Sequence, residues 1–489
     1  MTMTRVRIAP SPTGLLHIGT ARTAIFNALF ASKEQGAFIL RIEDTDKERS
    51  QKEYEEDIIE SLSWLGLQWD EGPFRQSERL THYQQYLQQL LDQDKAYFCF
   101  CSKAKLAKER AEQMKKKLAP RYAGHCAALN AKEQQAQLKK SKDQVIRFRN
   151  PSGVILEFKD LVRNKVRFAS EEFDDFVIAK DRENPLYNFT VVVDDFLMKI
   201  SHVIRGEDHL SNTAKQILLE QALDFPTPKF AHLPLIVDAK RAKLSKREGG
   251  VAVRDFRAQG FLPEALVNYL ILLGWHPHGN NEIFSFNDAA AEFSLERVQK
   301  SAATWDEHKL LWLNGHYIRG LSGLALLERL LPYLEQAGLI FLEDDGKIGL
   351  RPSGETITKL ELAKAVELTK DRLKLLSEGP EMLAFVFGPD YEADLLIWKE
   401  ETKAKTKAYL AKAKELLDQV PAETWNQEVL HGTLFKYLDE HKIGRSNLLW
   451  PLRVALSSKK SSPGTFELLA YLGKEESFRR LNQAIAKLA

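Results

Sequence analysis

Cysteine is scarce in this chain: three in 489 residues, at 99, 101 and 126. So few thiols exclude a disulfide-stapled framework. No stretch approaches the roughly eighteen apolar residues that a membrane-spanning helix needs. The N-terminus runs straight into an alternating strand and offers no secretory apolar segment, so the expected compartment is the cytoplasm. An excess of one charge sign is also missing. Lys plus Arg number 70 against 68 Asp plus Glu, a net charge of +2 with a pI near 8.2. Bulk charge therefore does not single out nucleic acid as a partner. Such a surface has to come from local clusters, for example Lys115-Lys116-Lys117 with Arg121, or Lys403, Lys405, Lys407, Lys412 and Lys414 on one C-terminal helix. Internal repeats and low-complexity tracts are absent, which removes solenoids and disordered scaffolds.

What is present describes an ordinary globular protein, 44% apolar and 28% charged, too long for a single core. Residues 1–98 read as α/β. A strand at 5–9 precedes a helix opening near Thr20, a strand at 38–42 follows, and Tyr54, Ile58, Ile59, Leu62 and Leu65 stripe a second helix. This is half of a doubly wound nucleotide-binding fold. Residues 99–184 change to a Lys/Gln-rich helical stretch and short strands (145–149, 154–158, 166–168), an insertion between two halves of a sheet. Residues 185–254 resume buried parallel strands at 191–193, 200–204 and 233–237. Helices dominate from about 255, and the pattern stays helical from about 323 to 489.

The segment Arg7 to Thr20, R-I-A-P-S-P-T-G-L-L-H-I-G-T, joins strand, glycine-bearing turn and helix start. Free backbone N–H groups at such a junction point at an anion. His17 and Thr20 add side-chain donors, and Gly19 leaves room for a flat base. Far downstream comes Lys243-Leu244-Ser245-Lys246-Arg247. Two lysines and a serine in a loop suit a polyphosphate whose charge shifts during reaction.

Together these segments resemble the two signatures of class I aminoacyl-tRNA synthetases. The flanking text resembles bacterial-type glutamyl-tRNA synthetases over nearly the whole chain: R-I-E-D-T-D from Arg41, Y-N-F-T-V-V-V-D-D from Tyr187, V-I-R-G-E-D-H from Val203 and P-L-R-V-A-L from Pro451. Two positions depart from the family pattern, Thr20 for a histidine and Leu244 for a methionine; a donor and an apolar anchor are kept. The resemblance implies a Rossmann-like α/β catalytic domain (1–98 and 185–254) with an α+β acceptor-stem insertion (99–184). A stem-contact domain (255–322) and an all-helical anticodon-binding region (323–489) are implied to follow. The implied activity is ATP-dependent attachment of L-glutamate to tRNA(Glu) through glutamyl-adenylate, with Mg²⁺ on the phosphates, by a monomer. His17, Gly19, Thr20, Glu207, Lys243, Ser245 and Lys246 are implied at ATP.

A glutamate pocket needs cationic forks for two carboxylates and an anion for the ammonium. Arg7 and Arg205 fall at strand ends beside the expected switch point, Glu43 ends another strand, and Tyr187 and Ser11 supply hydroxyls. The resemblance places all five in glutamate recognition, with Arg205 facing the side-chain carboxylate. An acidic pair such as Glu207-Asp208 is equally at home in a structural role. His202 and His209 lack the context of an acyl-hydrolysing triad. A relative that glutamylates a modified tRNA base would lack the extra helical region, and a small adenylyltransferase would be far shorter.

Cys99, Cys101 and Cys126 have the look of a three-cysteine zinc site lacking one ligand. Some members of the resembling family carry zinc in this insertion with a histidine two residues after the last cysteine. That position is Ala128 here, which leaves Tyr122 or, alternatively, His125 as the fourth ligand.

Overall fold

In the computed structural model of the chain, the described residues are 3–118, 120–140, 144–242, 244, 251–343, 346–351, 354–388 and 390–489. They divide into two compact units, Met1–Arg257 with Leu266–Asp306, and Ala258–Ala265 with Glu307–Ala489.

The first unit is built on parallel strands. Strand β1 (Arg5–Ile8) pairs in parallel with β2 (Ala37–Ile42), the helix α1 (Ile18–Lys33) making the crossover. Helix α2 (Lys52–Trp64) leads to β3 (Glu71–Arg75), which joins the other side of β2 in parallel. All six residues of β2 are buried, as befits a strand covered on both faces. Its Arg41 therefore has to find carboxylates in the interior. Helix α3 (Leu80–Asp92) leads into the insertion: β4 (Ala96–Cys99), α4 (Lys103–Lys115), α5 (Ala131–Lys140), β5 (Val145–Phe148), the hairpin β6 (Ile155–Asp160) with β7 (Asn164–Ala169), and β8 (Val177–Ala179). Strands β4, β5 and β8 form one antiparallel sheet.

Past α6 (Tyr187–Leu197), strand β9 (His202–Gly206), helix α7 (Leu210–Ala222) and strand β10 (Lys229–Leu233) resume the parallel arrangement. The Ser201 N–H donates to the Arg5 carbonyl at 3.0 Å, which sets β9 beside β1. The insertion's hairpin extends this sheet, in the order β7-β6-β10-β9, with Phe230 opposite Asp160.

One sequence expectation is corrected. Val191–Val193, read as a strand, lies within α6, where every residue from Phe189 to Asp195 is buried. A helix buried all round shows no amphipathic period, so three consecutive valines inside it mimic a buried strand.

The second unit is mainly helical. Its core draws on Leu327, Leu330 and Leu334 from Gly323–Gln336, Leu362 and Val366 from Lys359–Thr369, and Leu430, Leu434 and Leu438 from Gln427–Glu440. The all-helical expectation needs one amendment: Ile340–Leu342, Ile348–Leu350 and Thr356–Ile357 make a small antiparallel sheet. These runs are too short to declare a period, and Gly346 and Gly354 in the left-handed region turn the chain between them. Among the described residues no helix is long and apolar enough to cross a membrane.

Candidate active site

The first unit carries a cavity of about 610 Å³ at the C-terminal ends of β1 and β9. Its walls include Arg7, Ser11, His17, Gly19, Thr20, Glu43, Tyr187 and Arg205. Eight residues singled out from the sequence thus converge, although they come from four separate stretches of chain.

His17 is the N-cap of α1. Its Nδ1 accepts the Gly19 N–H at 2.9 Å, and its carbonyl accepts from Thr20 and Ala21. An imidazole whose Nδ1 accepts keeps its ring proton on Nε2 when neutral. A side chain at Gly19 would crowd that contact, its Cβ standing 3.2 Å from His17 Nδ1.

The downstream basic motif reaches the same place through its flanks. Leu244 is buried and lines the cavity. Ile18 donates to the Val251 carbonyl at 3.0 Å, Val253 donates to the Leu16 carbonyl at 2.9 Å, and His17 bridges Ala252. Lys243, Ser245 and Lys246 themselves lie outside the described residues.

Arg7 does not stand alone. Its Nε and Nη2 each lie 3.2 Å from the Asp195 carboxylate, which also receives Arg41 Nη1 at 2.7 Å. Arg41 reaches Glu43 at 3.1 Å, and Asp194 is held by Arg79 at 2.7 Å and by Tyr83 and Gln76 at 2.8 Å each. Burial opposes the charge on Arg41, yet the carboxylates of Asp195, Glu43 and Asp194 hold its pKa above the ordinary value. Burial raises the Asp195 carboxyl, but Arg7 and Arg41 outweigh it and keep it depressed. For Glu43 burial wins and the carboxyl is raised.

Arg205 has a different setting. It is buried, and among the described residues no carboxylate lies within 4 Å of it. Its Nη2 donates to Thr213 Oγ1 at 2.7 Å and Gln216 Oε1 at 2.6 Å, and Nη1 to the Tyr187 hydroxyl at 3.4 Å. The Tyr187 hydroxyl also lies 3.0 Å from His209 Nδ1. Burial and the neighbouring arginine charge hold His209 down to about 4, so it is neutral near pH 7.

Glu207 is not among the residues brought to the cavity. Its carboxylate pairs with Arg163 and accepts the N–H of Leu235, itself a lining residue, at 2.9 Å; its neighbour Asp208 lines the cavity. Arg41, Asp194, Asp195 and Thr213 went unremarked as site residues in the sequence. The available signal was charge inside an apolar run, F-I-L-R-I and V-V-V-D-D, since such charges survive burial only in pairs.

In the insertion, the thiol sulfurs of Cys99, Cys101 and Cys126 all lie within 4.8 Å of one another. The Tyr122 hydroxyl is 3.4 Å from Cys99 Sγ and 3.8 Å from Cys101 Sγ, and the Phe100 N–H donates to Cys126 Sγ at 3.4 Å. His125 turns to Glu109, Nε2 to Oε1 2.8 Å.

Comparison with known proteins supplies a family. A model described as tRNA synthetases class I (E and Q), catalytic domain, matches residues 3–312, and one described as an anticodon binding domain matches residues 325–485. The chain is 42% identical to the glutamate–tRNA ligase of Carboxydothermus hydrogenoformans, with 98% of this chain and 99% of that protein aligned. The chain belongs to the glutamate–tRNA ligase family. A second member, from Aquifex aeolicus, is 43% identical over the whole of both chains. The crystal structure of a glutamate tRNA ligase from Elizabethkingia meningosepticum in complex with its amino acid matches 99% of this chain and 100% of that one. It does so with a TM-score of 0.85 at 31% identity.

Proposed function

We propose that this chain attaches L-glutamate to tRNA(Glu) in two ATP-driven steps. The glutamate α-carboxylate attacks the α-phosphate in line, and the bond to pyrophosphate breaks as the mixed anhydride forms. The terminal ribose hydroxyl of tRNA then takes the acyl group and releases AMP. Neither step needs a protein nucleophile, so the chain's task is positioning and charge stabilisation. The observation that carries this reading is the contrast among the buried arginines of one cavity: Arg7 pairs with Asp195, Arg22 donates to the Leu273 and Pro234 carbonyls, and Arg205 is held by the neutral side chains of Thr213, Gln216 and Tyr187.

In this reading Arg205 faces the side-chain carboxylate, with Tyr187 beside it. Arg7, Ser11 and Glu43 hold the α-carboxylate and ammonium end. His17, through Nε2, and Thr20 donate to phosphate oxygens at the start of α1, where the helix dipole favours anions. Gly19 lies under the nucleotide, and Lys243, Ser245 and Lys246 follow the departing pyrophosphate. Mg²⁺ arriving with ATP neutralises phosphate charge. The anticodon region reads tRNA, and the working unit is a monomer.

The thiols of Cys99, Cys101 and Cys126 with the Tyr122 hydroxyl suit a structural Zn²⁺. Three soft donors and one oxygen already cluster, and an N–H donating to sulfur matches a thiolate at Cys126. His125 is the poorer fourth ligand because Glu109 holds it.

The decisive assay is glutamate-dependent pyrophosphate exchange with tRNA present. Arg205→Ala is expected to lose glutamate activation while ATP binding persists; full retained activity refutes the assignment.

A further inference from the structure

Arg205 is the group on which the choice of a carboxylate depends, and its far side is held by a line of buried side chains. Asp160 ends β6, His232 lies on β10 and Thr213 on α7; all three are completely buried. Asp160 Oδ2 is 2.6 Å from His232 Nδ1, His232 Nε2 is 2.8 Å from Thr213 Oγ1, and Thr213 Oγ1 receives Arg205 Nη2 at 2.7 Å. Arg205 Nε also faces His232 Nε2, at 3.5 Å.

With His232 neutral, the donors and acceptors run in one direction along the line. A carboxylate can only accept, so Asp160 takes the proton on His232 Nδ1 and leaves Nε2 as a lone pair. Thr213 must accept from Arg205, and its own proton then goes to that lone pair; the His209 carbonyl, at 3.2 Å, is a longer alternative. Were Nε2 to carry a proton, it would confront both the Thr213 hydroxyl and the Arg205 guanidinium.

We infer that Asp160, His232 and Thr213 are positioning residues for glutamate selection: they hold Arg205 through neutral acceptors, so that no carboxylate of the protein pairs with it directly and its fork is left for the side-chain carboxylate. The acid that fixes the polarity does not touch the guanidinium, because His232 stands between them. A carboxylate in Thr213's place would pair with Arg205 directly and favour an amide substrate as much as an acid. The role explains why the insertion's hairpin joins this sheet: the junction delivers Asp160 to His232 across the Phe230–Asp160 pairing. This inference rests on Arg205 facing the glutamate side chain, as proposed above.

Asp160 also caps its own turn, Oδ1 accepting from Val162 at 2.9 Å and Arg163 at 2.7 Å, so its variants mix two effects. Thr213 gives the cleaner test. Thr213→Val keeps the shape and removes the hydroxyl, whereas Thr213→Ser keeps the hydroxyl. In tRNA-dependent pyrophosphate exchange on the full chain, Thr213→Val is expected to raise the glutamate KM roughly ten- to a hundredfold. The ATP KM and kcat should stay within about twofold, discrimination against glutamine should fall, and Thr213→Ser should restore most of the loss. An unchanged glutamate KM in Thr213→Val, beside a raised one in Arg205→Ala, overturns the positioning chain alone. An unchanged glutamate KM in Arg205→Ala overturns the reading it rests on. Equal rises in both substrates' KM with a lowered melting temperature mean a purely structural threonine and also overturn it. Nitrogen NMR on histidine-labelled protein supplies a readout without turnover: His232 should carry its proton on Nδ1, and a proton on Nε2 refutes the chain.

Discussion

Replacing Asp195 by asparagine puts the buried charge cluster under direct strain. Asp195 is 7% exposed and receives Arg7 at 3.2 Å and Arg41 at 2.7 Å, with the Arg41 side chain wholly buried. The amide keeps the volume but loses the charge, and its NH₂ must face a guanidinium. Two cations then share the interior with Glu43 and Asp194, the latter already bound to Arg79. Removing one partner of a buried ion pair costs about 3–5 kcal/mol, because the remaining charge stays desolvated. For a unit of this size each kcal/mol is worth roughly 2–4 °C, so the first unit should melt about 6–20 °C lower. Thermal unfolding of the full chain followed by circular dichroism measures this. The pH dependence gives a second check. The folded Asp195 carboxyl is depressed below its ordinary value of 3.8, so its contribution is complete above that value and is lost as pH falls through the folded pKa. Asp195→Asn should therefore flatten the acid limb of the stability profile. A melting temperature within about 2 °C of the parent at neutral pH would falsify the idea that Asp195 compensates both arginines.

Three further outcomes are expected. Burial raises the Glu220 carboxyl to about 8, and its Oε2 has no hydrogen-bond partner. The folded chain thus holds an extra proton between 4.5 and about 8, and stability falls by roughly 1.4 kcal/mol per pH unit across that window. Glu220→Gln should gain melting temperature over the parent as pH rises from about 5 to 8, and a constant gap refutes this. In the second unit, buried Asn314 donates to the Lys374 carbonyl at 2.6 Å and accepts from Leu262 N–H at 2.7 Å. Asn314→Ala strands both groups and should cost about 1–3 kcal/mol in denaturant titration, an effect absent if water replaces the amide. Protein purified without chelator should hold close to one zinc by elemental analysis, and Cys126→Ala should lose it; less than about a tenth of an equivalent in the parent removes the zinc reading.

Much of the site was legible because its residues sit at strand ends and helix starts, positions that local patterning marks. Arg7 follows an alternating strand, His17 opens a helix with an apolar face, and Arg205 closes β9, so each could be placed near the switch point before any contact was known. What stayed hidden depends on long-range pairing. Nothing local links Asp160 to His232, or Asp195 to Arg7, because those contacts arise from β6 joining β10 and from α6 packing under β1. The misread valine run has the same origin: α6 is buried on every side by tertiary packing, which erases the periodicity that would have marked a helix. The pairing of Glu207 with Arg163 was hidden in the same way, because it joins residues 44 apart.

The cluster's charge bookkeeping explains why three arginines near one cavity do not bring three unopposed charges. Arg7, Arg41 and Arg79 face Glu43, Asp194 and Asp195, three cations against three carboxylates, so that assembly is close to neutral. Its value to the site is rigidity: Arg7, held by both oxygens of Asp195, keeps a fixed orientation at the cavity wall. Arg205 lies outside this set, and burial keeps His209 and His232 from adding charge near pH 7. Among the described residues of the cavity wall, Arg22 and Arg205 are the buried arginines with no carboxylate within 4 Å; Arg22 donates to the Leu273 and Pro234 carbonyls, whereas Arg205 is held by side-chain hydroxyls and an amide. In the proposed reading, glutamine would leave Arg205 buried without a carboxylate, and the cost of that desolvated guanidinium would disfavour it against glutamate.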